Sequence, residues 1–186
     1  MTGIIIVLAI IVVIVIWAIL AYNGLVTLRN QVENAWRQID VQLKRRYDLI
    51  PNLVNAVKGA MEFERDTLER VMNARAKAMG AQGVHDKSAA EGLLTRAIGG
   101  LFAVFENYPD LKSGKNVLEL QEELSSTENR ISFSRQFYND LVAKFNIKQD
   151  VFPTMVIAAI FGFKKAEYFQ AEEGASTPPK VDLGMK

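Results

Sequence analysis

The chain has no cysteine and one histidine, His85. Without thiols there are no disulfides, no thiolate metal sites and no cysteine nucleophile. Without a second histidine, neither the usual zinc sets nor the Glu-x-x-His steps of a di-metal bundle can be assembled. Excess charge of one sign is also lacking: 22 lysines and arginines stand against 21 aspartates and glutamates, a net charge of +1. No global field draws the chain to nucleic acid, so any electrostatic recognition must be local. The sequence also lacks a phosphate-cradling glycine loop, a Gly-x-Ser-x-Gly elbow and a helical His-Glu-x-x-His pair. No segment alternates with the two-residue period of a strand, and no internal repeat is evident. The expectation is an all-α protein without catalysis, cofactor, nucleic acid or small-molecule substrate.

Charge is absent altogether from Ile4 to Tyr22, IIIVLAIIVVIVIWAILAY. That length approaches the roughly 20 residues a helix needs to cross about 30 Å of hydrocarbon. The run is too long, and its Met-Thr-Gly start too poor in basic residues, for a cleaved signal peptide. Trp17 and Tyr22 suit a membrane interface. Residues 1–22 are therefore expected to form a single-pass transmembrane anchor, uncleaved, with Ile4 near its start. Arg29, Arg37, Lys44, Arg45 and Arg46 follow the span while no basic residue precedes it, which favours the soluble domain on the cytoplasmic side.

Apolar residues resume at once as Leu25, Leu28, Val32, Trp36, Ile39 and Leu43, in alternating steps of three and four. The span is thus predicted to continue into an antiparallel bundle of long helices over residues 23–170. Pro51 removes a backbone donor and disfavours helix before it, which predicts a kink or break near Ile50. The stripe resumes at Leu53 and fades near Gly80. Gly80 to Gly83, with His85 and Asp86, reads as a loop. Ser88 and Glu91 then have the spacing of a capping box opening a second helix, which should stop before Pro109. A turn at Asp110 to Lys115 leads to a third helix, with Val117, Leu120, Leu124, Thr127, Ile131, Ser134, Tyr138, Leu141 and Phe145 on a bundle or coiled-coil seam. Pro153 starts a short last helix. Residues 171–186, acidic and then Ser-Thr-Pro-Pro, read as a disordered tail.

Charged residues intrude on the seam between Gln38 and Pro51. Arg46 falls seven residues after Ile39, on the stripe itself, and Gln121, Glu128 and Arg135 form a polar file at sevens on the third helix. Either Arg45 or Arg46 pairs with Glu128 and fixes the register of two helices, because a partly buried arginine needs a carboxylate, or the basic residues form a solvated face. His85, alone in its loop, reads as a solvated residue rather than a ligand. A carboxylate-only metal site remains conceivable from Glu122, Glu123 and Glu128 on one helix and Glu33 and Asp40 on another.

The chain resembles the LemA family of bacterial membrane proteins. The resemblance lies in Tyr22-Asn23-Gly24-Leu25-Val26, Asn34-Ala35-Trp36, the run Gln38 to Val54, Val57-Lys58-Gly59, Tyr108-Pro109-Asp110-Leu111-Lys112, Leu120 to Leu124, Thr127-Glu128-Asn129-Arg130-Ile131, Tyr138-Asn139 and Phe152-Pro153. It implies a short anchor on an antiparallel bundle at the bacterial plasma membrane, and no established catalysis or cofactor. Ala60 and Phe63 stand where the family often has tyrosine and histidine, and Ser113-Gly114-Lys115 replaces a more usual alanine-asparagine turn. The candidate register or interaction residues are Asp40, Arg45, Arg46, Tyr47, Asp48, Pro51, Glu128, Arg130, Arg135, Tyr138 and Asn139. A scaffold or adaptor is the favoured function, its partners being the lipid bilayer and either further copies of itself or another membrane protein. Alternatives are a membrane-shaping or membrane-organising protein and a carboxylate-based metal or small-ligand binder.

Overall fold

The computed structural model describes residues 1–109 and 114–170. Every element among them is helical: α1 (Thr2–Val57), a 3-10 turn (Glu62–Glu64), α2 (Arg65–Gly80), α3 (Gly83–Phe105), α4 (Lys115–Asp150) and α5 (Thr154–Ile160). The expected tail 171–186 and most of the expected turn at 110–115 lie outside the described residues.

From Ile4 to Leu20 the side chains of α1 face outward except for the half-buried Trp17 and Ala18, with Ile4 68% and Leu20 65% exposed, and full burial begins only at Ala21 and Leu25. An exposed apolar helix of this length finds its cover in lipid. α3 is also long and apolar enough to cross a membrane. Its Leu94, Ile98, Leu101 and Phe105 are nevertheless buried, as is Glu91, and α3 packs against α2, as a core helix does.

The chain forms two compact units. One combines Met1–Leu43 with Asn129–Tyr168, the other Lys44–Glu128 with the segment that starts at Phe169. In the first, α1 and α4 run antiparallel: Gly24 lies beside the Lys148 ammonium, and further along Trp36 meets Tyr138 at 5.5 Å between ring centroids. Leu25, Val32, Ile39, Ile131, Val142 and Phe145 are buried here. In the second, α2 and α3 form a hairpin joined by residues 81–82, and its core includes Leu53, Met61, Val71, Leu94, Leu101 and Leu124.

Three sequence expectations need correction. α1 does not break near Ile50 but runs through Pro51 to Val57. Proline takes away the N–H that would reach the carbonyl four residues back, that of Tyr47. Arg75 Nε donates to this Tyr47 oxygen at 2.7 Å and so replaces the missing donor. The break falls instead at residues 58–60. Arg75→Met should therefore lower stability by about 1–2 kcal/mol. The loss should shrink in a Pro51→Ala background, where an amide again reaches the carbonyl; thermal unfolding of both pairs by circular dichroism measures the difference.

The second correction concerns the loop, which is only residues 81–82; His85 and Asp86 occupy the first turn of α3, where Asp86 complements the helix dipole. The third is that Ser88 and Glu91 are not a capping box. α3 has already begun at Gly83, and the Ser88 hydroxyl donates instead to the Gln170 carbonyl at 2.8 Å.

Candidate functional site

The Lys44–Glu128 unit contains a buried ionic cluster built from one turn of α1, two turns of α3 and one residue of α4. Position 46 lies seven residues beyond Ile39, on the buried stripe of α1, so its arginine points inward with 2% exposure. Arg46 Nη1 lies 3.2 Å from a Glu91 oxygen and 2.9 Å from a Glu128 oxygen, while Nη2 donates to Thr95 Oγ1 at 2.8 Å. The planar guanidinium suits this task, because its fixed fork of N–H groups reaches three acceptors from one position. Glu91 has no solvent exposure. Its second oxygen accepts a short hydrogen bond from the Tyr47 hydroxyl. Lys87 closes one side, donating to the Ala78 carbonyl at 3.1 Å with its ammonium 5.7 Å from the Tyr47 ring centroid.

Two carboxylates thus share one guanidinium. Burying a charge is expensive unless it is paired and hydrogen-bonded, so the cluster fixes which turns of α1, α3 and α4 face one another. Both Glu91 oxygens and one Glu128 oxygen accept from internal donors. Among the described residues no group of three or more His, Asp or Glu side chains is placed to hold a metal.

The remaining candidate residues fall elsewhere. Arg45 pairs with Glu123 at 2.6 Å, both about half exposed, an arrangement worth little in water. Asp40, Asp48 and Arg130 are exposed, and Pro51 is half-buried. Arg135 and Asn139 are half-buried and engaged in polar or electrostatic contacts. Of the anchor residues, Ile4 is exposed, Trp17 half-buried, and Tyr22 packs on Phe161 and Phe163 with centroids 4.7 and 5.8 Å away.

Tyr138 belongs to the first unit and helps to hold the non-helical segment after α5. Its hydroxyl donates to the Glu167 carbonyl at 2.8 Å. Asn146, one side of α4 further on, grips Ala166 twice, donating to its carbonyl at 3.0 Å and accepting from its amide at 2.9 Å. A carboxamide here plays the part of a neighbouring strand. Burial, and then the Glu167 carboxylate, push the Tyr138 phenol up from 10.0 to about 12. The folded state holds this proton more tightly than the unfolded state, so the contribution is intact below pH 10 and is lost as pH rises through about 12. Stability measured by urea unfolding should fall more steeply across that window for the natural chain than for Tyr138→Phe.

Sequence reasoning missed Glu91, Thr95, Arg75 and Asn146. Glu91 had a signal: it is the one carboxylate between Ser88 and Phe105, one turn before Thr95.

The comparisons with known proteins agree with this picture of a membrane-associated helical protein. Magnetosome protein MamQ 2 of Paramagnetospirillum magneticum is 27% identical over 186 residues, covering 86% of this chain and 68% of its own. Magnetosome protein MamQ of Magnetospirillum gryphiswaldense is 25% identical over the same shares. Protein LemA of Metamycoplasma hominis is 30% identical over 154 residues, covering 81% of this chain and 69% of its own. None of these names denotes a reaction. The LemA family model matches residues 35–183, four-fifths of the length and both units, and the chain belongs to the LemA family.

Proposed function

We propose that the chain is a membrane-anchored scaffold that self-assembles at the bacterial plasma membrane, without catalysis, and presents its helical part on the cytoplasmic side. The observation that carries this reading is an exposed apolar patch on the first unit. Phe133 and Phe137, one turn apart on α4, are 76% and 51% exposed. Two outward phenylalanines one turn apart are what a protein contact covers. The buried cluster supports the same reading from the other side, because its carboxylates are committed to holding helices in register.

Chemical cross-linking of the full chain in native membranes tests the proposal. Dimers and larger species are expected, and Phe133→Glu with Phe137→Glu should reduce them to monomer while leaving the helical content unchanged. Monomer alone from the natural chain would refute self-assembly.

A further inference from the structure

The segment around α5 is an apolar surface held beside the end of the membrane span. Between Asp150 and Lys164 there is no charged residue. α5 turns Ile157 and Ala158 inward, yet its other side is equally apolar: Phe152 is 76%, Ile160 70% and Phe161 58% exposed, with Met155 and Val156 nearly half exposed. A helix apolar all round needs cover on both sides.

The neighbours of this surface identify its cover. Phe161 packs on Tyr22, the last residue of the Ile4–Tyr22 span, at 4.7 Å between centroids. Wherever the span ends in the bilayer, the Phe161 ring therefore sits within one ring's width of that depth. The sequence from Lys144 to Lys165 contains four lysines and one acid, Asp150. Lys165 is bridged to that acid at 2.8 Å. A Cβ on Gly24 would lie 3.0 Å from Lys148 Nζ, which puts an ammonium two residues past Tyr22, at the level of lipid headgroups. Apolar rings at the acyl boundary with lysines just above them match an anionic leaflet in both polarity and charge.

We infer that α5 and its flanks, residues 151–163, form a second membrane contact: an interfacial element that lies in the anionic leaflet from which α1 emerges, with Lys144, Lys148 and Lys164 on lipid headgroups. This rests on the reading of residues 4–22 as the span. The helical part is then held against the bilayer at two points, which restricts its tilt about the end of α1.

The absence of native cysteine makes the test direct. Full-length Ile160→Cys, Phe152→Cys, Ile11→Cys and Asp140→Cys variants are each labelled with an environment-sensitive nitrobenzoxadiazole dye. They are reconstituted at one copy per nanodisc in phosphatidylcholine with or without one quarter phosphatidylglycerol. Shallow spin-labelled lipid should quench the dye at 160 and 152 severalfold more than at 140, aqueous iodide should quench it severalfold less, and both differences should grow with phosphatidylglycerol. Lys148→Gln with Lys164→Gln should remove that lipid dependence. Quenching at 11 by deep spin-labelled lipid, with 160 and 152 behaving like 140, would overturn the second contact and leave the span standing. An unquenched dye at 11 would overturn both. Shielding at 160 that appears only with several copies per disc would assign the surface to a second chain and equally refute the lipid contact.

Discussion

Arg46→Met should destabilise the protein by about 3–5 kcal/mol, the range for removing one partner of a buried ion pair. The loss is large because of what remains. Glu91, with no solvent exposure, would lose its guanidinium partner, and Thr95 would lose its donor. For a chain of this size about 2–4 °C accompanies each kcal/mol, so thermal unfolding should shift down by roughly 6–20 °C. Arg46→Lys should fall in between, since one ammonium on a flexible stem cannot serve three separate acceptors with the geometry of a planar fork. Combining Arg46→Met with Glu91→Leu should cost much less than the two single changes added together, because Glu91 no longer remains as a buried charge without Arg46. A single Arg46→Met change below about 1 kcal/mol would fit the alternative of a solvated basic face.

Val12→Arg with Val13→Arg should abolish stable membrane insertion. Arginine at the centre of a spanning helix carries a penalty of about 2.5–3.5 kcal/mol each on insertion scales. Both positions lie near the middle of the Ile4–Tyr22 run, and both are more than half exposed on α1, so neither can turn into a protein interior. Carbonate extraction reads the outcome: the natural chain stays with the membrane pellet, and the double variant moves to the supernatant. Retention of the variant in the pellet would contradict a lipid-facing helix here.

The long-range features of the fold were legible because periodicity reports which face of a helix is buried. The stripe from Val117 to Phe145 lies on α4, and the continuation of the apolar run into Leu25, Val32 and Ile39 is realised as the single helix Thr2–Val57. What could not be read depends on contacts between residues distant in sequence. Pro51 looked like a break because the donor that replaces its missing N–H comes from Arg75, 24 positions later and on another helix. Ser88 and Glu91 looked like a local cap because their partners, Gln170 and Arg46, are far away in the chain. The placement of Arg46 on the buried stripe was visible from its spacing to Ile39; its carboxylate Glu91 was not, since a local capping motif explained that residue already. The grip of Asn146 on Ala166 left no trace in composition or period.

Cysteine-accessibility scanning through residues 4–22 probes the membrane reading most directly, because the chain offers no competing thiol. Single cysteines introduced along this run in native membranes should resist a water-soluble maleimide and react once detergent and denaturant are added, while those placed from Asn23 onward on exposed positions of α1 react without either. Uniform reactivity across 4–22 in intact membranes, or a helical period in which one face alone is protected, would show the helix lying in water or packed on protein and would contradict the span.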